Sequence, residues 1–217
     1  MEQRVTELNR AFATALLSGD EVGAEQAVRD AMDSGISTAE IDDAIIAPAM
    51  WLIGDLWERG EITVADEHIA TEISTRVLAL QREAERLAVS RGRHRIMLAT
   101  PEGEQHVVAL RMVHNLLREA GYDVLMLGTD VPPGDLAASA ARYEPDVVCL
   151  STTMPGGSDR ILIAIDEIQG ARPEAGFVLG GRGLRARMRS EPGINVCLRV
   201  PEVVEAVDAM IKRADLN

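Results

Sequence analysis

Cysteine and aromatic residues are scarce in this sequence, whose 217 residues include two Cys, two Trp, two Tyr and two Phe. Cys149 and Cys197 lie in apolar runs, VVCLS and NVCLR. They read as buried small hydrophobes of a reducing compartment and leave no disulfide framework. Neither stands at zinc-binding spacing from histidines, so no structural zinc site is expected. Basic charge is also short, with 22 Lys and Arg against 35 Asp and Glu for a net charge of -13. A nucleic-acid grip neutralises phosphates with cations, so direct nucleic-acid binding is not expected. No apolar run reaches the roughly 18 residues of a membrane span, and the start MEQRVTELNR does not have the pattern of an export signal. The expectation is a cytoplasmic chain with no membrane contact. Catalytic fingerprints are missing too: no Gly-x-Ser-x-Gly elbow, no Walker loop, no Cys–His pair in loops and no Gly-x-Gly-x-x-Gly after the first strand. A nucleophile-based enzyme and a dinucleotide-binding domain both lose support on these grounds.

What is present falls into two halves. The first ninety residues carry helical periodicity, with helices expected at about 2–18, 21–34, 38–58 and 63–90. Gly35 reads as a helix stop, and Ser37 with Glu40 as a capping box for the next helix. Four helices with short turns make an up-and-down bundle, assigned to residues 1–90. The polar, basic stretch Ser90–Arg95 has no apolar period and reads as a linker.

From there on, RIMLAT (95–100), YDVLMLG (122–128), DVVCLS (146–151), GFVLGG (176–181) and INVCLR (194–199) read as strands. They alternate with helices near 104–120, 134–143, 158–171, 183–189 and 201–214. Continuous rather than alternating apolar runs, separated by helices, predict a parallel sheet covered on both faces. Residues 91–217 are therefore expected to form a Rossmann-like, flavodoxin-like α/β domain with five strands. Such sheets bind ligands beyond the carboxyl ends of their strands. That places interest on Thr100–His106, Gly128–Gly134, Ser151–Ser158 and Gly180–Gly183.

The first of these loops reads Pro101-Glu102-Gly103-Glu104-Gln105-His106. Glu104, two residues before His106, can orient the imidazole by accepting from one ring nitrogen, as carboxylates do behind metal-ligating histidines. Ser151 and Thr153 follow the third strand, and Gly180-Gly181 end the fourth. Taken together, Glu104-x-His106, Ser151-x-Thr153 and Gly180-Gly181 resemble the cobalamin-binding family, whose members carry Asp/Glu-x-His-x-x-Gly, then Ser-x-Leu/Thr, then Gly-Gly. The resemblance implies that His106 is the lower ligand of cobalt and that Glu104 supports it. It also implies that Ser151 and Thr153 contact the displaced nucleotide tail, while Gly180 and Gly181 let that tail approach the sheet. The family's glycine is Ala109 here, and its methyl group should narrow the groove. His114, on the following helix, reads as structural.

In the helical half, Trp57 ends the third helix and Glu67-His68 open the fourth across the turn Arg59-Gly60-Glu61. A short turn between antiparallel helices brings all three to one end of the bundle. The spacing Trp57-x9-Glu67-His68 is similar to the signature of light-sensing adenosylcobalamin regulators of the carotenoid-gene repressor type, in which it surrounds the adenosyl group. Those regulators have a helix-turn-helix domain before the bundle and a histidine after the tryptophan; this sequence starts at the bundle and has Glu58.

The resemblance implies a non-enzymatic photoreceptor or sensor module. Such a module binds adenosylcobalamin, loses the adenosyl group in light, forms a homo-oligomer and signals to a protein effector. Three alternatives stay open: a corrinoid carrier shuttling methyl groups for methyltransferases, the small subunit of a mutase, and a photocobilin holding a noncovalent bilin such as biliverdin beside cobalamin.

Overall fold

The structure, a computed structural model, describes residues 2–84, 94–184 and 188–214. It divides into two compact units between residues 86 and 87. The expected boundary at 90/91, the end of the helix expected over 63–90 and most of the expected linker lie outside the described residues.

The first unit is helical: α1 (Glu2–Ser18), α2 (Glu21–Asp33), α3 (Thr38–Ile41), a π-helical turn (Asp42–Ile46), α4 (Ala47–Glu58) and α5 (Val64–Ala84). Its core is apolar, with Phe12, Leu16, Ile41, Ile45, Ile46, Ile53, Val77 and Leu78 all buried. Ala24, Ala27 and Ala31 give α2 a small-residue face that is also buried. Gly35 adopts φ +75° and the amide of Ile36 returns to the carbonyl of Ala31, closing α2. Ser37 Oγ accepts from the Glu40 amide at 3.3 Å to open α3.

The helix expected over 38–58 is interrupted by the π turn, and Pro48 supplies the reason. Proline lacks an N–H, and its ring collides with the carbonyl four residues back in a regular helix. Widening by one residue relieves that collision. The Ala47 amide then bonds to Asp42 O, and Asn9 Nδ2 from α1 donates to Ile45 O at 2.8 Å.

The second unit is a parallel sheet, with β1 (Arg95–Pro101), β2 (Asp123–Val131), β3 (Val147–Ser151), β4 (Gly176–Gly180) and β5 (Ile194–Val196) in the order β2-β1-β3-β4-β5. This is the flavodoxin-like order, and its direction reverses between β1 and β3. The helices are α6 (Val108–Glu119), α7 (Pro133–Tyr143), α8 (Gly157–Ala171) and α9 (Glu202–Ala214). Met97, Ala99, Val148, Leu150, Phe177 and Leu179 pack with Leu136 and Ala140 of α7 and Ile161, Ile165 and Ile168 of α8. Helices α6 and α9 contact the sheet as well as each other.

Three boundaries and one expected helix depart from the sequence reading. β2 runs past Gly128 to Val131, because Gly128 at φ +101° permits a register shift against β1. α6 starts at Val108, not near 104, because the preceding backbone groups are used in the ligand-edge loop. β5 stops at Val196, since the amides of Leu198 and Arg199 turn to the Glu202 carboxylate at 2.9 and 3.2 Å. The helix expected over 183–189 is not found where residues are described: Gly183 and Leu184 form a turn on Thr152 O and Gly181 O, and 188–190 are irregular. Residues 185–187 lie outside the described set.

Candidate functional site

At the point where the strand order reverses, the loop after β1 meets the loop after β3. Glu104 is wholly buried there. Its Oε1 accepts from the His106 amide at 3.1 Å and pairs with His106 Nδ1 at 2.5 Å. Its Oε2 accepts from Thr152 Oγ1 at 3.0 Å, the Thr153 amide at 2.6 Å and the Met154 amide at 3.0 Å. Burial alone would raise the carboxyl pKa. The donors, with the His106 ring first, more than offset it and bring the value from an ordinary 4.5 down to about 2. An ionised Glu104 favours the proton on Nδ1 of His106 and fixes the orientation of its ring. The His106 side chain is 42% exposed.

Thr152 is the centre of the β3 side. A Cβ on Gly157 would sit 1.6 Å from its Oγ1, and one on Gly181 would sit 2.1 Å from its carbonyl oxygen. Gly181 also holds φ +99°. Its glycine identity follows from the backbone of Thr152, whereas a Cβ on Gly180 would meet only Cys197 O at 3.8 Å. Ser151 and Thr153 flank this residue, both half-buried. Thus Glu104, His106, Ser151, Thr153, Gly180 and Gly181 all gather at one edge of the sheet.

In the helical unit, Trp57 is in the last turn of α4 and 39% exposed. Gly60, at φ +69°, turns the chain, and Thr63 and Asp66 cap α5 reciprocally: the Thr63 amide donates to Asp66 Oδ2 at 2.8 Å and the Asp66 amide to Thr63 Oγ1 at 3.3 Å. The capped first turns carry Glu67 and His68, with His68 Nδ1 at 2.6 Å from Glu67 Oε2 and Thr71 Oγ1 donating to Glu67 Oε1 at 2.9 Å. Trp51, Leu52, Val64 and Ile69 on the same two helices are exposed as well.

Comparison with known proteins matches the B12 binding domain family over residues 94–208, and a second B12 binding domain family over residues 8–81. The chain belongs to the B12-binding domain family. Among curated relatives, the HTH-type transcriptional repressor CarH of Myxococcus xanthus is 28% identical over 79% of this chain, which spans 58% of that repressor. Monomethylamine corrinoid protein 1 of Methanosarcina acetivorans is also 28% identical, over 68% of this chain and 72% of its own length. Among solved structures, the monomethylamine corrinoid protein of Methanosarcina barkeri superposes with TM-score 0.77 at 17% identity, covering 93% of this chain and 97% of that one. This likeness concerns the fold: a helical cap followed by a Rossmann-like domain.

The donor set of this B12-binding domain suits a corrin. An imidazole oriented by a buried carboxylate is the arrangement found behind metal-ligating histidines, and a single such donor fits a metal already held by a macrocycle. Sequence reasoning named Ser151 and Thr153 and passed over Thr152 between them, whose hydroxyl reaches Glu104. The signal was available in the small residues Gly157 and Gly181 that make room for Thr152. Trp51 was likewise passed over as one more apolar residue in a helical period. Among the described residues no helix is long and apolar enough to cross a membrane.

Proposed function

We propose that this B12-binding protein is a light-responsive sensor module that takes adenosylcobalamin, with His106 Nε2 as the lower cobalt ligand. The observation carrying the ligand assignment is the Glu104–His106 pair, in which a buried, fivefold hydrogen-bonded carboxylate fixes a partly exposed imidazole by Nδ1. Ser151, Thr153, Gly180 and Gly181 would line the groove for the nucleotide tail. Bound adenosylcobalamin would supply a photolabile cobalt–carbon bond. Trp57, Glu67 and His68 would contact the adenosyl group, and Trp51, Leu52 and Val64 on the same two helices are exposed as well. The acidic surface favours a protein effector over DNA, and the module would act as a homo-oligomer in the cytoplasm. The similarity to the CarH repressor and the Trp57-x9-Glu67-His68 spacing support this reading. A bilin such as biliverdin would be a second, noncovalent chromophore.

A second reading is favoured by the similarity to monomethylamine corrinoid protein 1, which this chain matches over 72% of its length. On that reading the chain carries methyl groups between methyltransferases. Neither reading requires a catalytic side chain on this protein.

One experiment separates them. Protein loaded with adenosylcobalamin in darkness is illuminated with green light, with absorption and size-exclusion profiles recorded before and after, alongside methylcobalamin and added biliverdin. A light-driven spectral change with altered assembly supports the sensor. Photostable binding with preference for methylcobalamin overturns it in favour of the carrier.

A further inference from the structure

Asp130 lies near the end of β2 with φ +57°; it and Glu144 are the non-glycine residues with positive φ among those described. Glu144 terminates α7, an ordinary place for that conformation. Asp130 instead sits inside a strand, where a left-handed residue costs about 1–2 kcal/mol and interrupts pairing with β1, whose register shifts between Ala99 and Pro101. Strain of this kind persists where surrounding contacts over-determine it.

The contacts are specific. Asp130 Oδ1 accepts from the Gly103 amide at 2.6 Å. The Asp130 amide lies 3.0 Å from Thr100 Oγ1 and 2.9 Å from Glu104 O. Thr100 Oγ1, buried, donates to Glu104 O at 2.5 Å. From the opposite side, Arg160 Nη1 of α8 donates to Gly103 O at 3.1 Å. The peptides at 103 and 104 are therefore held from β1, β2 and α8, while the Glu104 side chain is held from β3.

We propose that Asp130 is a positioning residue for the cobalt ligand: it fixes the backbone of Gly103 and Glu104, and through Glu104 the orientation of His106. This rests on the assignment of His106 as that ligand. A metal–nitrogen bond tolerates only a few tenths of an ångström, so a slackened loop would cost ligation before it cost folding.

Two substitutions isolate the contact. Asp130→Asn keeps an Oδ1 acceptor, and Asp130→Gly removes it; both residues accept positive φ. Each is loaded with adenosylcobalamin, and affinity, the imidazole-ligated absorption spectrum and the melting temperature of the cobalamin-free protein are measured. Asp130→Gly is expected to lose about tenfold in affinity and to shift toward the unligated spectrum. Asp130→Asn should stay within about twofold of the parent on the same scale, with the cobalamin-free melts of both near the parent's. A parent-like spectrum and affinity for Asp130→Gly overturns the proposal, as does equal loss in Asp130→Asn. If Asp130→Gly does not fold, Thr100→Val, which removes the hydroxyl shared by Asp130 and Glu104, is read in the same way. His106→Ala is the control: if it leaves the parent spectrum unchanged, the ligand assignment itself fails and this proposal falls with it. A changed control with a parent-like Asp130→Gly overturns only the role of Asp130.

Discussion

The Thr152 hydroxyl donates to Glu104 Oε2 over 3.0 Å, joining the end of β3 to the loop after β1. Both partners are buried, so neither can turn to water when the other is removed. Glu104→Ala would strand the Thr152 hydroxyl, two amides of the β3 loop and the His106 Nδ1 proton. The expected loss is about 3 kcal/mol of stability, measured by urea unfolding of the cobalamin-free protein. Glu104→Gln retains one acceptor oxygen but turns an NH2 group toward donors, and should cost nearly as much.

The same carboxylate sets an acid limit. Its pKa is about 2 in the folded protein against an ordinary 4.5, so the folded state holds fewer protons there than the unfolded chain. The contribution, about 3 kcal/mol for a shift of that size, is fully present above about pH 4.5 and is lost as pH falls from there toward 2. Urea midpoints of the cobalamin-free protein from pH 6 to pH 3 should fall steeply, and Glu104→Ala should flatten the profile.

Gly180 and Gly181 are adjacent, yet their tolerance should differ sharply. Gly181→Ala drives a methyl group into the backbone of Thr152 at an unfavourable φ, and is expected to cost at least about 3 kcal/mol. Gly180→Ala gains only an ordinary contact with Cys197 O and should cost under about 1 kcal/mol. Paired thermal melts check this; equal losses would show that the Thr152 backbone is not the obstacle.

Trp57→Ala removes a partly exposed ring from the end of α4. On the proposed reading it should weaken retention of adenosylcobalamin by about tenfold or more, of the order of a lost aromatic contact, and spare hydroxocobalamin. Isothermal titration with both cobalamins in darkness tests it. Equal weakening of both would assign Trp57 to the fold instead of the adenosyl side.

The sheet was legible because burial on both faces writes a strand as a continuous apolar run, and runs such as VVCLS cannot be confused with the amphipathic helices around them. The loop bearing Glu104 and His106 was legible because the pair lies two residues apart in sequence. Thr152 and Asp130 were not, since their partners stand 48 and 27 residues away. Only the topology that sets β1 between β2 and β3 brings them together. The extent of β5 and the turn at 183–184 were misread for a similar reason: the Glu202 carboxylate and the Thr152 carbonyl take amides that local pattern would give to a strand or a helix.

The π turn ahead of α4 also absorbs a phase shift. Each residue of an α-helix advances the azimuth by about 100°, so the one extra residue that the wide turn at Asp42–Ile46 accommodates would, in a regular helix, swing every later side chain of α4 by that angle. Trp51 and Trp57 keep the directions that the wide turn preserves. Deleting one residue from this turn would leave composition, charge and apolar content almost unchanged. It would nevertheless close the wide turn and set the Pro48 ring against the carbonyl four residues back, making the turn a length-sensitive element in a stretch that otherwise resembles an ordinary helix.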